Sequence, residues 1–209
     1  MLRILIADDH SVVRKGLRQI LLDEFPTAEI AEVADAEELI KNVMAARWDV
    51  VVSDLSMPGR SGMDALQQIK LSYPELPVLI LSIHPEEQYA IRALKSGASG
   101  YLSKDTAPDE LVKAVKKVLL GKKYISQAIA EKLANTFSSN DAVHQHETLS
   151  DREFDVMKLL ANGKSVSEIA EMLSLSVTTV STYRARVMVK MSLRSNSDLT
   201  KYAIENKLI

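Results

Sequence analysis

Five side chains stand out by type and position: Asp8, Asp9, Asp54, Ser82 and Lys104. Asp8 and Asp9 directly follow the apolar run Leu2–Ala7, and Asp54 follows Trp48–Ser53. Ser82 ends the run that begins at Val78, and Lys104 ends Tyr101-Leu102-Ser103-Lys104. If the first and third runs are neighbouring strands, three carboxylates converge. They repel one another unless a cation is present or protons are retained. Oxygen-only ligands suit a hard ion, and partial protein ligation with retained waters suits Mg2+. A carboxylate can act as a nucleophile. Lysine and Mg2+ neutralise phosphoryl oxygens, and a hydroxyl donates to one. The group therefore suits phosphoryl transfer. A lone Asp at a strand end is an ordinary turn or cap residue. The argument rests on all five falling at successive strand ends.

The elements that must position them alternate. Leu2–Ala7, Glu29–Val33, Val50–Ser53, Val78–Leu81 and Ser99–Leu102 read as strands, several of them continuous apolar runs suited to a sheet covered on both faces. Helical patterns lie between and after them near 12–24, 36–46, 62–72, 86–97 and 107–120, with Asp35 and Thr106 as expected N-caps. Five such units predict an α/β fold, a doubly wound five-stranded parallel sheet with right-handed crossovers. Sheets of this kind place their sites at the carboxyl ends of the strands.

From Gly121 the alternation stops. Residues 121–148 read as a linker with a helix near 126–135, and 149–209 as a small all-α domain. In that tail, Ser150-Asp151-Arg152-Glu153 and Ser165-Val166-Ser167-Glu168 are capping boxes, and Ser176 is a third N-cap. Helices are expected near 151–162, 166–173, 177–191 and 196–206, with Gly163 as a C-cap. Ile169, Met172 and Leu173 form the inner face of the second helix. Val177, Val180, Val187 and Met191 form that of the third. The turn Ser174-Leu175-Ser176 between two short helices matches a helix-turn-helix. The third helix carries Thr178, Ser181, Thr182, Tyr183, Arg184, Arg186 and Lys190 and no acid, which suits a phosphate-lined groove. Ser181, Thr182 and Arg184 are expected near base edges, and Arg186 and Lys190 at phosphates.

The 209 residues sum to a net charge of −2, which by itself argues against a nucleic-acid partner. The charge is unevenly spread. Residues 1–120 carry −4, whereas 177–209 carry +4. Opposite charge at the two ends points to two partners. The absence of cysteine excludes disulfides, Cys-ligated zinc, iron–sulfur clusters and a thiol nucleophile. No apolar run approaches the ~20 residues that span a bilayer. No signal peptide is evident, so a cytoplasmic protein without membrane partners is expected.

The motifs Ala7-Asp8-Asp9-His10, Asp54-Leu55-Ser56-Met57-Pro58-Gly59, Ser82 and Tyr101-Leu102-Ser103-Lys104 resemble the receiver domain of bacterial two-component response regulators, over about residues 1–120. Leu149, Ser150, Arg152, Glu153, Val156, Leu159, Gly163, Ile169, Ala170, Leu173, Ser176, Thr179, Val180, Lys190 and Met191 resemble the LuxR-type helix-turn-helix over 149–209. Together they resemble the NarL/FixJ family. The run Thr179–Arg184 looks most like that of its virulence and acid-resistance members BvgA and EvgA.

The resemblance implies that Asp54 accepts a phosphoryl group from a sensor histidine kinase. Asp9, assisted by Asp8, binds Mg2+ with Asp54 and the backbone carbonyl of Ser56. Lys104 pairs with the phosphoryl group, Ser82 moves to bond it, and Tyr101 changes rotamer in response. The tail would bind double-stranded promoter DNA as a homodimer when phosphorylated, with RNA polymerase a candidate partner. His10 and His84 shape access to Asp54. The protein would not be an enzyme beyond its own phosphorylation and slow dephosphorylation. Haloacid-dehalogenase-type phosphohydrolases have a second Asp two residues after the nucleophile, where this chain has Ser56.

Overall fold

A computed structural model of the chain describes residues 1–131 and 145–209. By contacts the chain divides into two units, Met1–Ser139 and Asn140–Ile209.

In the first unit the apolar runs form a parallel sheet of β1 (Arg3–Ala7), β2 (Glu29–Val33), β3 (Val50–Asp54), β4 (Val78–Ser82) and β5 (Gly100–Ser103), in the order β2-β1-β3-β4-β5. β3 and β4 are buried at every position because helices cover both faces. The covering helices are α1 (Ser11–Glu24), α2 (Ala36–Ala45), α3 (Gly62–Ser72), α4 (Glu86–Lys95) and α5 (Ala107–Leu119). Alternate strand side chains, Ile4, Ile6, Val50, Val52, Leu79, Leu81 and Leu102, pack with Leu17 and Leu21 of α1 and Leu111, Val115 and Val118 of α5.

Helix starts follow local chemistry. Asp35 caps α2 by accepting the Glu38 N–H at 2.7 Å. Ser61 and Asp64 form a reciprocal capping box on α3, an S-x-x-D form not anticipated from the sequence. Thr106 does not cap α5 through its side chain. Its backbone is already in the right-handed helical region, and its hydroxyl donates to the Ser103 carbonyl at 3.3 Å. The chain after α5 stays with the sheet. The Tyr124 N–H donates to the Ser99 carbonyl at 2.8 Å, and Tyr124 bridges Gly100. Residues 127–131 are helical, and 132–135 of the expected helix lie outside the described residues.

The second unit contains α6 (Asp151–Ala161), α7 (Val166–Met172), α8 (Val177–Lys190) and α9 (Asn196–Glu205). Both expected capping boxes form, Ser176 accepts the Thr179 N–H at 3.0 Å, and Gly163 follows α6 with φ +81°. A further box, Ser195 with Asp198, starts α9. Ser174 takes the left-handed φ of 53° that reverses the chain between α7 and α8. α6 packs on both α8 and α9. Val180, Val187 and Met191 are fully buried, but Val177 is 51% exposed and Met172 57%. At about 100° per residue, Val177 lies some 40° beyond the Val180–Val187–Met191 stripe, and Met172 is about 60° from Ile169. Both therefore sit off the packed face. His146, expected in the linker, places Nδ1 2.9 Å from the Tyr202 hydroxyl and its ring 6.0 Å from that of Phe154.

One ion pair ties the end of α8 to the start of α6. The Lys190 ammonium donates to Glu153 Oε2 at 2.6 Å, and Glu153 is buried. Burial pushes the Glu153 carboxyl up, but Lys190 and the Ser150 backbone and hydroxyl pull harder and hold it below the usual glutamate range. A lowered pKa contributes stability above the unfolded value, near 4.3, that is lost as pH falls through the folded value. Glu153→Gln should therefore cost about 2 kcal/mol at neutral pH in urea unfolding of this unit. The gap from the parent should close below about pH 4; a gap that is constant with pH would rule out the ion pair as its source.

Candidate functional site

Strand register brings the acids together. β1 pairs with β3 so that Ala7 lies beside Ser53, which sets Asp8 next to Asp54 at the carboxyl edge. Side chains two apart share a face of a strand. Asp8 continues the row of Ile4 and Ile6, Asp54 that of Val50 and Val52, and Lys104 that of Leu102, so all three share the α1 and α5 face. Ser82 and Tyr101 fall in the opposite phase, on the α4 face. β4 separates β3 from β5, and the Lys104 side chain crosses its end. The Lys104 Nζ sits 2.7 Å from Asp8 Oδ2 and 2.8 Å from Asp54 Oδ2.

Both of those carboxylates are buried. Burial pushes the Asp54 carboxyl up. Lys104 and the Ser56 N–H, 3.1 Å from Oδ1, pull it down, and Asp8 adds repulsion; the net direction is up. For Lys104 burial works against the charge, but the hydrogen bond to Asp54 and the close Asp8 carboxylate outweigh it and raise the ammonium above its ordinary value. The acidic turn is itself held in place. The His10 N–H donates to Asp8 Oδ1 at 2.8 Å, and Arg14 Nη1 donates to the Asp8 carbonyl at 2.6 Å. Arg14 was not singled out from the sequence, although a cation one turn into the helix after an acid pair is a readable signal. Gly62 is another such residue. A Cβ there would lie 1.8 Å from the Asp54 carbonyl oxygen, so only glycine lets α3 start against the end of β3.

The donor set fits a hard cation. Ligand atoms of Asp8, Asp9, His10 and Asp54 all lie within 4.8 Å of one another. Asp8 Oδ2, whose near neighbour is the Lys104 ammonium, and Asp9 Oδ1 are buried and accept no well-directed hydrogen bond. Carboxylate oxygens with spare acceptor capacity suit a divalent ion with oxygen preference. His10 Nδ1 stands 2.8 Å from Asp9 Oδ1, which brings an imidazole into the cluster.

A second set of contacts runs from this edge toward α4. Ser82 is fully buried, and its Oγ accepts the His84 N–H at 3.0 Å. The Tyr101 hydroxyl donates to the His84 carbonyl at 2.9 Å and also engages the Ser82 hydroxyl. Burial drives the Tyr101 phenol well above its ordinary range, so it is neutral throughout physiological pH. The His84 Nε2 is 2.9 Å from Ser56 Oγ, and its ring stacks on Tyr89 of α4 at 4.7 Å.

In the second unit Thr178, Ser181, Thr182 and Arg186 are exposed along α8, while Tyr183 and Arg184 are half-buried. Arg184 Nε donates to Asn196 Oδ1 at 3.1 Å, which steadies the guanidinium at the start of α9. Lys190 is exposed along its stem, but its ammonium is held by Glu153.

Removing the cation would leave two buried carboxylates side by side. Lys104→Met should destabilise the first unit by about 3 kcal/mol at pH 7 in chelator-treated protein. The cost should shrink as pH falls, because a raised carboxyl pKa favours the folded state on the acid side and is a liability above it. Adding Asp54→Asn should restore part of the loss. A Lys104→Met cost independent of both would show that repulsion is not its source.

Residues 4–116 match the family described as the response regulator receiver domain, and residues 147–203 match bacterial regulatory proteins of the luxR family. The oxygen regulatory protein NreC of Staphylococcus epidermidis is 38% identical over 216 residues, covering 100% of this chain and 99% of that protein. NreC of Staphylococcus aureus is 37% identical over 215 residues with the same coverage. Among solved structures, RcsB from Salmonella enterica serovar Typhimurium, bound to promoter rprA in the presence of phosphomimetic BeF3-, is 28% identical. It covers 97% of this chain and 98% of that one with a TM-score of 0.63. A LuxR-family two-component response regulator from Aurantimonas sp. SI85-9A1 is 35% identical, covering 66% of this chain and 98% of its own with a TM-score of 0.59. A receiver match over more than half the chain, joined to a LuxR-type match and full-length relatives, places this protein in the NarL/FixJ family of two-component response regulators, as a phosphorylation-dependent, DNA-binding regulator of transcription.

Proposed function

We propose that Asp54 is the phosphoacceptor, and that its carboxylate displaces a histidine nitrogen of a sensor kinase from phosphorus to form an acyl phosphate. The observation that carries this reading is the Lys104 ammonium shared between Asp54 and Asp8, at 2.8 and 2.7 Å. It sits where a transferred phosphoryl group would add negative charge. Asp8, Asp9, Asp54 and the Ser56 backbone carbonyl would hold Mg2+, which supplies charge neutralisation for the phosphoryl oxygens. Ser82 gives up the His84 N–H to bond the phosphoryl group, and Tyr101 follows because its hydroxyl engages both Ser82 and His84. That is the switch: it alters the α4 and β5 face. Ser56 cannot serve as the general acid and base that an aspartate would supply, so turnover is limited to slow self-dephosphorylation.

Residues 1–120 act as the receiver, 121–148 as the connection and 149–209 as the DNA-binding domain. The tail reads promoter DNA through Thr178, Ser181, Thr182, Tyr183 and Arg184, with Arg186 at a phosphate. Lys190 reaches a phosphate only by leaving Glu153, so its share of the affinity is smaller than its charge suggests. Phosphorylation favours a homodimer whose recognition helices meet half-sites about 34 Å apart. The protein works in the cytoplasm with its kinase and RNA polymerase; no described helix is long and apolar enough to cross a membrane.

Asp54→Ala should abolish acyl-phosphate labelling by a small phosphodonor and weaken operator binding. Labelling that survives would discard the assignment. Arg186→Ala should lower affinity for all duplexes alike and reduce the slope of log affinity against log salt by about 1. An unchanged slope would remove Arg186 from the phosphate contacts.

A further inference from the structure

At the amino end of β4 and β5, one strand length from Asp54, the first unit carries a cleft of about 380 Å3. That volume lies in the range of small-molecule sites. Lys70 from the end of α3, with Lys122 and Lys123 from the segment after α5, faces a single acid, Glu75. Val118 and Pro77 add an apolar wall.

Two of the three ammoniums are fixed by backbone carbonyls rather than by carboxylates. Lys70 Nζ donates to the Pro74 carbonyl at 2.9 Å and the Leu76 carbonyl at 2.6 Å, and Lys123 Nζ to the Ala98 carbonyl at 2.5 Å. An ammonium has three donors, so Lys70 keeps one and Lys123 two for a ligand. Carbonyls hold the groups in place without cancelling their charge. None of the three lysines forms an ion pair among the described residues. Gly97, at φ +99°, brings the turn before β5 against the Lys70 stem; a Cβ there would meet Lys70 Cγ at 3.0 Å. The turn thus confines Lys70 to the cleft. Burial lowers the Lys70 pKa, and the Lys123 charge lowers it further. Glu75 partly offsets this for Lys70. Burial also lowers Lys123. The charge of a bound anion would act in the opposite direction on both.

We propose that this cleft binds a small diphosphate-bearing anion, at a site separate from the phosphoacceptor and independent of its assignment. Three lysines against one acid favour a multiply charged ligand over a single carboxylate, and the space exceeds one phosphate. Lysine suits phosphate as a point charge. Such binding stabilises the receiver fold by mass action and gives the regulator a second, small-molecule input.

The test is a titration of the full chain followed by amide NMR, without divalent metal and at physiological ionic strength. Pyrophosphate serves as the free anion and a nucleoside diphosphate as the esterified one. Saturable shifts are expected at the amides of residues 97–99 and 122–124 with at least one probe, and the tighter probe identifies which form the cleft prefers. The same shifts should persist in Asp54→Asn. Lys122→Gln, on an exposed side chain with no hydrogen bond or ion pair among the described residues, should weaken binding several-fold, and Lys70→Gln with Lys123→Gln at least about tenfold. The proposal is overturned if neither probe saturates into the millimolar range, if shifts centre on Asp54 and Lys104, or if Lys122→Gln and the double variant bind like the parent.

Discussion

Two ionised aspartates buried side by side repel strongly unless a positive charge stands between them, and the carboxyl edge of this sheet is organised around that requirement. Asp8 and Asp54 leave adjacent strands in register, and Lys104 reaches both from the far side of β4, two strands from Asp54 and three from Asp8. The Coulomb attraction in a water-poor edge is strong, but it balances only if β5 ends at the right height. The apolar core behind the acids serves this end. Ile6, Val52 and Leu102 are buried in the rows that terminate in Asp8, Asp54 and Lys104, so a one-residue slip of any of these strands would turn its charge to the other face.

The same alternation sorts the groups at the strand ends by face. Acids and lysine lie on the α1 and α5 side. Ser82 and Tyr101 lie on the α4 side and are joined through His84. Ser82, His84 and Tyr101 thus form a short hydrogen-bonded chain at the carboxyl edge whose far end is a buried aromatic beside α4. Ser56 and His84 add a bridge across the mouth of the site, and the stacking of His84 on Tyr89 fixes where that bridge sits. The second unit solves an analogous problem with a different pair. Glu153 caps α6 and anchors the end of α8 through Lys190, so one carboxylate sets both the start of one helix and the position of another.

Much of this was legible in the residues. The strands were identified to within a residue, most plainly at β3 and β4, where burial on both faces leaves a continuous apolar run. Capping residues identified most helix starts, because the side-chain acceptor and the amide it serves are three residues apart. Asp35, Ser150, Ser165 and Ser176 all bond as their spacing requires. Thr106 did not, because the turn after β5 had already committed its backbone to a helical conformation. Met172 and Val177 carried the right residue type but sat off the helix stripe. Lys190 read as a cation for phosphate because its carboxylate partner is 37 residues away in sequence.

By itself the sequence determined the element types, the charged and hydroxyl groups at strand ends, and the unequal charge of the two ends. These depend on neighbours within a few residues, where sterics and hydrogen bonding act locally. Tertiary structure alone decided that β1 lies beside β3, that Lys104 crosses β4 to reach Asp8 and Asp54, and that Gly62 must lack a Cβ because the Asp54 carbonyl occupies its place. It likewise decided that Lys70 and Lys123 meet at the opposite end of the sheet. Strand order follows from how the crossovers pack, and a contact between residues fifty positions apart leaves no periodic mark on either segment.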